Sequence, residues 1–153
     1  MKAKQIPFKS GITTGAAMVL YLSLFYYLDK THLFNPLVFW SSLLFPMIGM
    51  VVAIRKVRRA QGDSITHKEA LRASFLTWLL AMAIFLLFIY LLFNYIDNGL
   101  IDIQKDLMEK ATGKPLKRED MAMTFGSVFF RWAIMLLPGF LLAYAAASFL
   151  KNK

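Results

Sequence analysis

Apolar residues form four long runs along this chain, and short polar stretches separate the runs. A helix rises about 1.5 Å per residue, so about 20 apolar residues cross a hydrocarbon core of about 30 Å. Each run approaches or exceeds this length and carries at most one charge. The pattern therefore predicts four transmembrane helices, at about residues 11–28, 37–54, 75–95 and 128–150.

A short polar link joins the first two helices into a predicted hairpin, and Pro36 suits the first turn of the second helix. Pro46 lies in the middle of the second run and predicts a kink there. The third helix begins at a capping box formed by Thr66 and Glu69, and it forms a second hairpin with the fourth helix. The predicted fold is all-α, a single polytopic membrane domain over residues 1–153 built from two hairpins.

The loop between the third and fourth helices contains a further helical pattern over about residues 99–112. Apolar residues recur there at helical spacing, with charged residues between them, at Leu100, Ile103, Leu107 and Ala111. Gly113 follows as a stop signal. We predict an amphipathic helix outside the membrane, and the pattern fits contact with either lipid or the helical bundle.

Basic residues concentrate on one side of this predicted arrangement. The two termini and residues 55–72 together hold eleven basic and two acidic residues, whereas the opposite side holds six basic and seven acidic residues. Lysine and arginine favour the cytoplasmic side of a membrane. We therefore predict that both termini are cytoplasmic. This distribution accounts for the formal net charge of +9 without a nucleic-acid partner.

Composition supports the membrane class and narrows the chemistry. Hydrophobic residues make up 58% of the chain, whereas soluble domains average about 45–50%. The chain has no cysteine, and His32 and His67 lack a second ligand at the spacing of a helical metal site. It also has no glycine-rich phosphate loop and no recognisable arrangement of nucleophile and base. We predict no enzyme activity, no cofactor and no metal.

Arg131 is the ionisable residue that interrupts an apolar run. Charges within a membrane are costly to bury and often mark a functional site. The alternative is an interfacial anchor, in which the long side chain reaches towards water. We hypothesise a structural ion pair between Arg131 and either Asp97 or Asp29, because both acids lie at the negative ends of their helices.

The second group of candidate site residues is basic and follows the second transmembrane helix. It comprises Arg55, Lys56, Arg58 and Arg59. One interpretation is a topology signal. The other is a contact site for anionic lipid headgroups or for an acidic partner, since a local cluster of this size attracts acidic lipid.

Two segments with their surroundings resemble a known family. They are GDSITHKEA at residues 62–70 and FNYIDNGL at residues 93–100, which leads into the outer helix. In layout, nearly the whole chain resembles the bacterial four-helix inner-membrane proteins of domain-of-unknown-function family four-one-nine-nine. The resemblance implies a fold and a location in the bacterial inner membrane, and it implies no activity or functional residue.

Two functions fit these features. The first is a non-catalytic subunit, accessory or scaffold protein of an inner-membrane assembly, with a membrane-protein partner or further copies of itself. It is motivated by small residues that permit close helix packing, at Ala73, Thr77, Ala81, Gly139, Ala143 and Ala147. The alternative is a small transporter or lipid-handling protein that acts as an oligomer on an anionic substrate or headgroup, with Arg131 on its path.

Overall fold

The computed structural model describes residues 3–151, and every regular element within that range is helical. Six α-helices follow one another: α1 (Ile6–Leu28), α2 (Pro36–Ser42), α3 (Leu44–Ala60), α4 (His67–Leu91), α5 (Gly99–Thr112) and α6 (Phe125–Leu150). Three short 3₁₀ turns lie at Ala3–Gln5, Lys30–Phe34 and Arg118–Met121, and a π-helical turn, Leu92–Ile96, extends α4.

Four helical stretches among the described residues are long and apolar enough to cross a membrane. They are Ala3–Leu28, Pro36–Ala60, His67–Ile96 and Phe125–Leu150. The prediction of an all-α membrane protein with four spans is therefore confirmed. The helices extend beyond the apolar runs because their backbone bonding continues into polar sequence, as at the start of α4, where Thr66 and Glu69 form the predicted capping box.

The two ends of the bundle differ in charge. We call the end that holds residues 55–72 the basic end. The opposite end, which holds the Lys30–Phe34 turn and α5, is called the far end.

Helix α4 is the centre of the bundle and packs on α1, α3 and α6. Its contact with α1 depends on two glycines four residues apart. A Cβ on Gly11 would lie 2.7 Å from the Leu80 Cβ, and a Cβ on Gly15 would lie 2.8 Å from the Ile84 Cβ. Only glycine allows the two helices to approach this closely.

The α4–α6 contact uses small residues in the same way. A Cβ on Gly139 would lie 2.1 Å from the Nε1 atom of Trp78, whose indole donates a hydrogen bond to the Met135 carbonyl at 3.1 Å. Nearer the basic end, the Ser74 hydroxyl donates to the Ala143 carbonyl at 3.3 Å. The predicted small packing residues form two stripes, one on α4 (Ala73, Thr77 and Ala81) and one on α6 (Gly139, Ala143 and Ala147), and all six residues are buried within the chain.

The second span is interrupted at Leu43, between α2 and α3, three residues before Pro46. A proline lacks an N–H and its ring crowds the carbonyl one turn earlier, so the interruption lies where Pro46 predicts a kink. Helix α3 packs on α1, α4 and α6. Within the described residues, the backbone of α2 comes close only to α1, α3 and the Lys30–Phe34 turn, so the far-end half of this span stands away from the backbones of α4 and α6.

Candidate functional site

An apolar groove of about 800 Å³ lies between α2 and α6 at the far end, and we call it the far-end groove. Its floor is the α4 surface around Met82, Phe85 and Leu86. One wall is α2 with the turn before it, including Trp40, and the other is α6, including Ile134. The volume falls in the range of about 300–1,000 Å³ that is typical of small-molecule sites.

The groove exists because α2 stands away from α4 and α6. Two residues of its lining are exposed, Trp40 of α2 at 66% and Ile134 of α6 at 48%. Both residues lie within candidate membrane spans. The groove therefore opens sideways, towards the hydrocarbon of a surrounding bilayer.

Helix α5 covers the far end of the groove. Its first turn is anchored in the bundle through the buried residues Leu100 and Ile101. Leu107 and Met108 lie further along the helix, line the groove, and remain 36% and 41% exposed. Helix α5 thus contacts protein at its start and presents apolar side chains to the groove along its second half.

Arg131 lies on the α6 wall of the groove and is exposed. Its Nη1 atom donates to the Met123 sulfur at 3.7 Å. Among residues 3–151, no carboxylate oxygen lies within the 4.0 Å of a salt bridge to this guanidinium. The structure thus contains no salt bridge between Arg131 and the predicted partners Asp97 and Asp29, and Arg131 places a cation without a carboxylate neighbour on an apolar groove.

Asp97 pairs with Lys30 instead. The Lys30 ammonium and the Tyr26 hydroxyl both donate to Asp97 Oδ2, and the Gly99 N–H donates to Oδ1 at 3.0 Å. The hydrogen bond from Lys30, aided by that from Tyr26, lowers the pKa of Asp97, and the same contact raises the pKa of Lys30. This cluster, called the far-end clasp, joins the end of α1 to the start of α5.

Asp29 has a separate role, as the cap of the turn that follows α1. Its carboxylate accepts the Thr31 N–H at 2.9 Å and caps the Lys30–Phe34 turn. That hydrogen bond lowers the pKa of Asp29. Both acids proposed as partners of Arg131 are thus engaged in holding the link between the first two spans.

Gln104 of α5 is a polar residue on the groove lining that sequence reasoning missed. Its Oε1 atom is buried and has no hydrogen-bond partner within the described part of the chain. A buried acceptor without a partner costs about 1–3 kcal/mol. The signal was present in the sequence, because Gln104 lies at helical spacing from Leu100, Leu107 and Ala111, within the apolar stripe.

The chain matches the family model described as protein of unknown function (DUF4199) over residues 9–152. It belongs to this family. No curated protein and no solved structure shows significant similarity to it. The match spans both hairpins of the DUF4199 protein and the far-end groove between them.

The predicted basic cluster of this DUF4199 protein is divided by the structure. Lys56 and Arg59 line a second groove, between α1 and α3, together with Lys9. The Arg58 Nε atom instead donates to the Asp63 carbonyl at 3.1 Å, and Arg55 is exposed outside the groove lining. Sequence reasoning missed Lys9, although Lys9, Ser10, Thr13 and Thr14 share one helical face.

Proposed function

We propose that this integral membrane protein is a lipid-handling protein that binds an anionic amphiphile in the far-end groove. The observation that supports the proposal is an arginine without an acidic neighbour on the wall of an apolar groove that opens towards the bilayer. The role is one of binding, and no chemical step is invoked.

The groove suits the apolar part of such a ligand. Its lining is almost entirely aliphatic, aromatic and methionine side chains, and the exposed lining residues Trp40 and Ile134 lie within candidate membrane spans. A chain that enters from lipid exchanges one apolar environment for another, so the hydrophobic effect contributes little to selection. Selection therefore depends on polar groups of the groove.

Arg131 supplies the main polar group. Nineteen helical residues separate it from Leu150, which at 1.5 Å per residue places it about 28 Å from the end of α6. This is close to the about 30 Å thickness of a hydrocarbon core, so the guanidinium reaches the headgroup region. A carboxylate or phosphate there can accept two hydrogen bonds from its planar fork.

Gln104 adds a second requirement on the ligand. Its buried Oε1 atom is an acceptor, and a hydroxyl or amide N–H of the ligand would satisfy it. The ligand class that meets both groups is a single-chain or two-chain amphiphile with an anionic headgroup and a neutral hydrogen-bond donor.

The test is photolabelling of the purified protein in neutral detergent with diazirine palmitic acid and with the matching diazirine hexadecanol. We expect the acid to label the walls of the groove on α2, α5 and α6 at least fivefold more than the alcohol, because only the acid pairs with Arg131. In Arg131→Gln the ratio should fall to near one.

Lys114→Gln is the matched control, because Lys114 is an exposed far-end cation outside the groove lining. It should retain the preference for the acid. Equal labelling by acid and alcohol in the native protein, or labels that map outside the groove, would contradict the proposed function.

The second candidate is a non-catalytic subunit of a membrane assembly, and the surface of α6 favours it. Only 17% of the most apolar stretch of the α6 span is buried within the protein, whereas 39% of the corresponding stretch of the α4 span is buried. The small-residue stripes do not contribute, because they are buried inside the chain. Recovery of a stoichiometric membrane protein after purification in mild detergent would support this role, and repeated recovery of the chain alone would count against it.

We further propose that the basic end faces the cytoplasm, in a bacterial inner membrane. The chain has no cysteine, so single cysteines can report orientation. In intact cells a membrane-impermeant maleimide should label Lys114→Cys at the far end and should spare Asp63→Cys at the basic end. The reverse pattern would invert the proposed orientation.

A further inference from the structure

The groove between α1 and α3, which we call the basic-end groove, has a volume of about 790 Å³. Most of its lining surface is apolar, with Ala17, Phe45 and Ile48 at the end nearer the bundle centre. Ser10, Thr13 and Thr14 also line it from α1. At the opposite end, three cationic residues line it: Lys9 from α1, and Lys56 and Arg59 from α3. The groove thus combines an apolar channel with a cationic mouth.

We infer that the basic-end groove binds one acidic phospholipid from the leaflet that meets this end of the bundle. The acyl chain would lie in the channel between α1 and α3. The phosphate would contact Lys9, Lys56 and Arg59. This site is separate from the far-end groove and does not rest on the function proposed for it.

The length of the channel fits a lipid chain. Fourteen helical residues separate Arg59 from Phe45, which corresponds to about 21 Å along α3. One leaflet contributes about 15 Å of the hydrocarbon core. A chain that starts at the cationic mouth therefore extends across its own leaflet within the groove.

The charges select the headgroup. Only two acidic residues, Asp63 and Glu69, accompany the basic residues in the described part of this end. Glu69 is engaged by the Thr66 backbone and hydroxyl and by Gln61. Among residues 3–151, no carboxylate forms a salt bridge with the three groove cations. Such cations near a membrane surface favour anionic over zwitterionic lipid.

The edges of the groove face lipid, not water. Ile12 beside it is 56% exposed, and Ile48 on its wall is 61% exposed, and both lie within candidate membrane spans. A bilayer lipid therefore has direct access from the side. This geometry favours a membrane lipid over a soluble anion, which would meet only the cationic mouth.

The experiment measures lipid retained by the intact chain in neutral detergent, by native mass spectrometry, during titration with dioleoyl phosphatidylglycerol or dioleoyl phosphatidylcholine. We expect one phosphatidylglycerol to be retained at least tenfold more tightly than phosphatidylcholine. The triple variant Lys9→Gln, Lys56→Gln, Arg59→Gln should weaken phosphatidylglycerol retention at least tenfold.

The matched control removes three charges from the same end, two from α4 and one that directly follows α6, as Lys68→Gln, Arg72→Gln, Lys151→Gln. It should retain phosphatidylglycerol within about twofold of the native protein, since a site-bound lipid depends on local charge. An equal loss in both triple variants would overturn the site, because it would indicate general attraction to a basic surface.

A second variant tests the channel while all three cations remain. Ala17 lines the groove, so Ala17→Phe should fill its inner part and weaken phosphatidylglycerol retention severalfold. Ala16→Phe is the control, because Ala16 is exposed and lies outside the lining. Unchanged retention in Ala17→Phe would overturn the inference that the acyl chain lies in the groove.

Discussion

The far-end groove and the basic-end groove have nearly the same volume, about 800 and 790 Å³, but they arise in different ways. The far-end groove is formed where helices fail to meet, since α2 stands away from α4 and α6 and α5 covers the gap. The basic-end groove is a furrow between α1 and α3, which are in contact. The far-end groove is therefore shaped by the positions of helices that are apart from one another, whereas the basic-end groove is shaped by the surfaces of two neighbouring helices.

The two grooves also differ in the number and kind of their polar groups. The far-end groove has one cation, Arg131, and one unpartnered acceptor, Gln104, on an otherwise mostly apolar lining. The basic-end groove has three cations at its mouth. Selectivity in the first should therefore depend on hydrogen-bond geometry, whereas selectivity in the second should depend on headgroup charge.

The sharpest way to separate the grooves is Gly139→Ala in the α4–α6 contact. The new Cβ would lie 2.1 Å from Trp78 Nε1, so the indole must leave its place against Met135. Overpacking of this kind costs about 1–3 kcal/mol, and we expect a value near the top of that range. Below the melting temperature, palmitate labelling of the far-end groove should fall, while phosphatidylglycerol retention at the basic end should persist.

Gly126→Ala is the matched control for this variant. Gly126 lies in the same helix, and a Cβ added there meets nothing within 4 Å. It should leave stability unchanged or raise it by up to about 1 kcal/mol, because alanine favours a helix over glycine. A similar loss in both variants, measured by thermal unfolding in detergent, would show that the Trp78 contact is not the cause.

The second prediction concerns the α1–α3 contact beneath the basic-end groove. In Gly49→Ala the added Cβ would lie 2.4 Å from the Thr14 Oγ1 atom. We expect a loss of about 2 kcal/mol in the free energy of unfolding and weaker retention of phosphatidylglycerol at the basic end. Far-end photolabelling should remain.

Thr14→Ala provides the internal check, since it removes the two closest atoms of the clash. The double variant Gly49→Ala, Thr14→Ala should recover most of the lost stability, which is a coupling that contacting residues show. Additive losses in the double variant would mean that Gly49 acts through something other than Thr14.

Comparison of the grooves also shows what the sequence could reveal. The four spans and the capping box at Thr66 follow from local periodicity and end signals, and they are found where predicted. The partner of Asp97 could not be found in this way. Lys30 is far from it along the chain, and their contact depends on how the two hairpins meet at the far end.

The division of the basic cluster has a different physical reason. Successive residues of a helix point about 100° apart, so Lys56 and Arg58 face nearly opposite sides of α3. A run of basic residues therefore predicts charge near the membrane but not which members share a surface. Lys9 joins Lys56 and Arg59 only because α1 and α3 are neighbours, a fact of tertiary packing.

The far-end clasp yields a third prediction with a pH dependence. Asp97→Asn should lower the free energy of unfolding modestly, because the ion pair with the half-exposed Lys30 and the Gly99 contact are weakened. The loss should be confined to the far end, with lower palmitate labelling and unchanged phosphatidylglycerol retention. Asp106→Asn, an exposed acid of α5, is the control.

The sign of the pH effect follows from the two pKa shifts. The pKa of Asp97 is lowered, so its stabilisation is complete above the unfolded value of about 3.9 and is lost as pH falls through the lower folded value. The pKa of Lys30 is raised, so its stabilisation is complete below about 10.4 and is lost at higher pH. Melting curves from pH 3 to 11 should show both losses in the native protein and reduced losses in Asp97→Asn.

The smallest expected effect comes from Gln104→Leu, which changes a residue that lines the far-end groove and not the basic-end groove. Leucine removes the buried unpartnered Oε1 atom, so the protein without ligand should become more stable by up to about 1 kcal/mol. If Gln104 binds a donor on the ligand, the same change should reduce labelling by a hydroxylated diazirine palmitate more than labelling by the plain acid. Phosphatidylglycerol retention at the basic end should not change. Equal labelling losses for the two probes would assign Gln104 to packing, and Arg131 would remain the one polar contact of the far-end groove with its ligand.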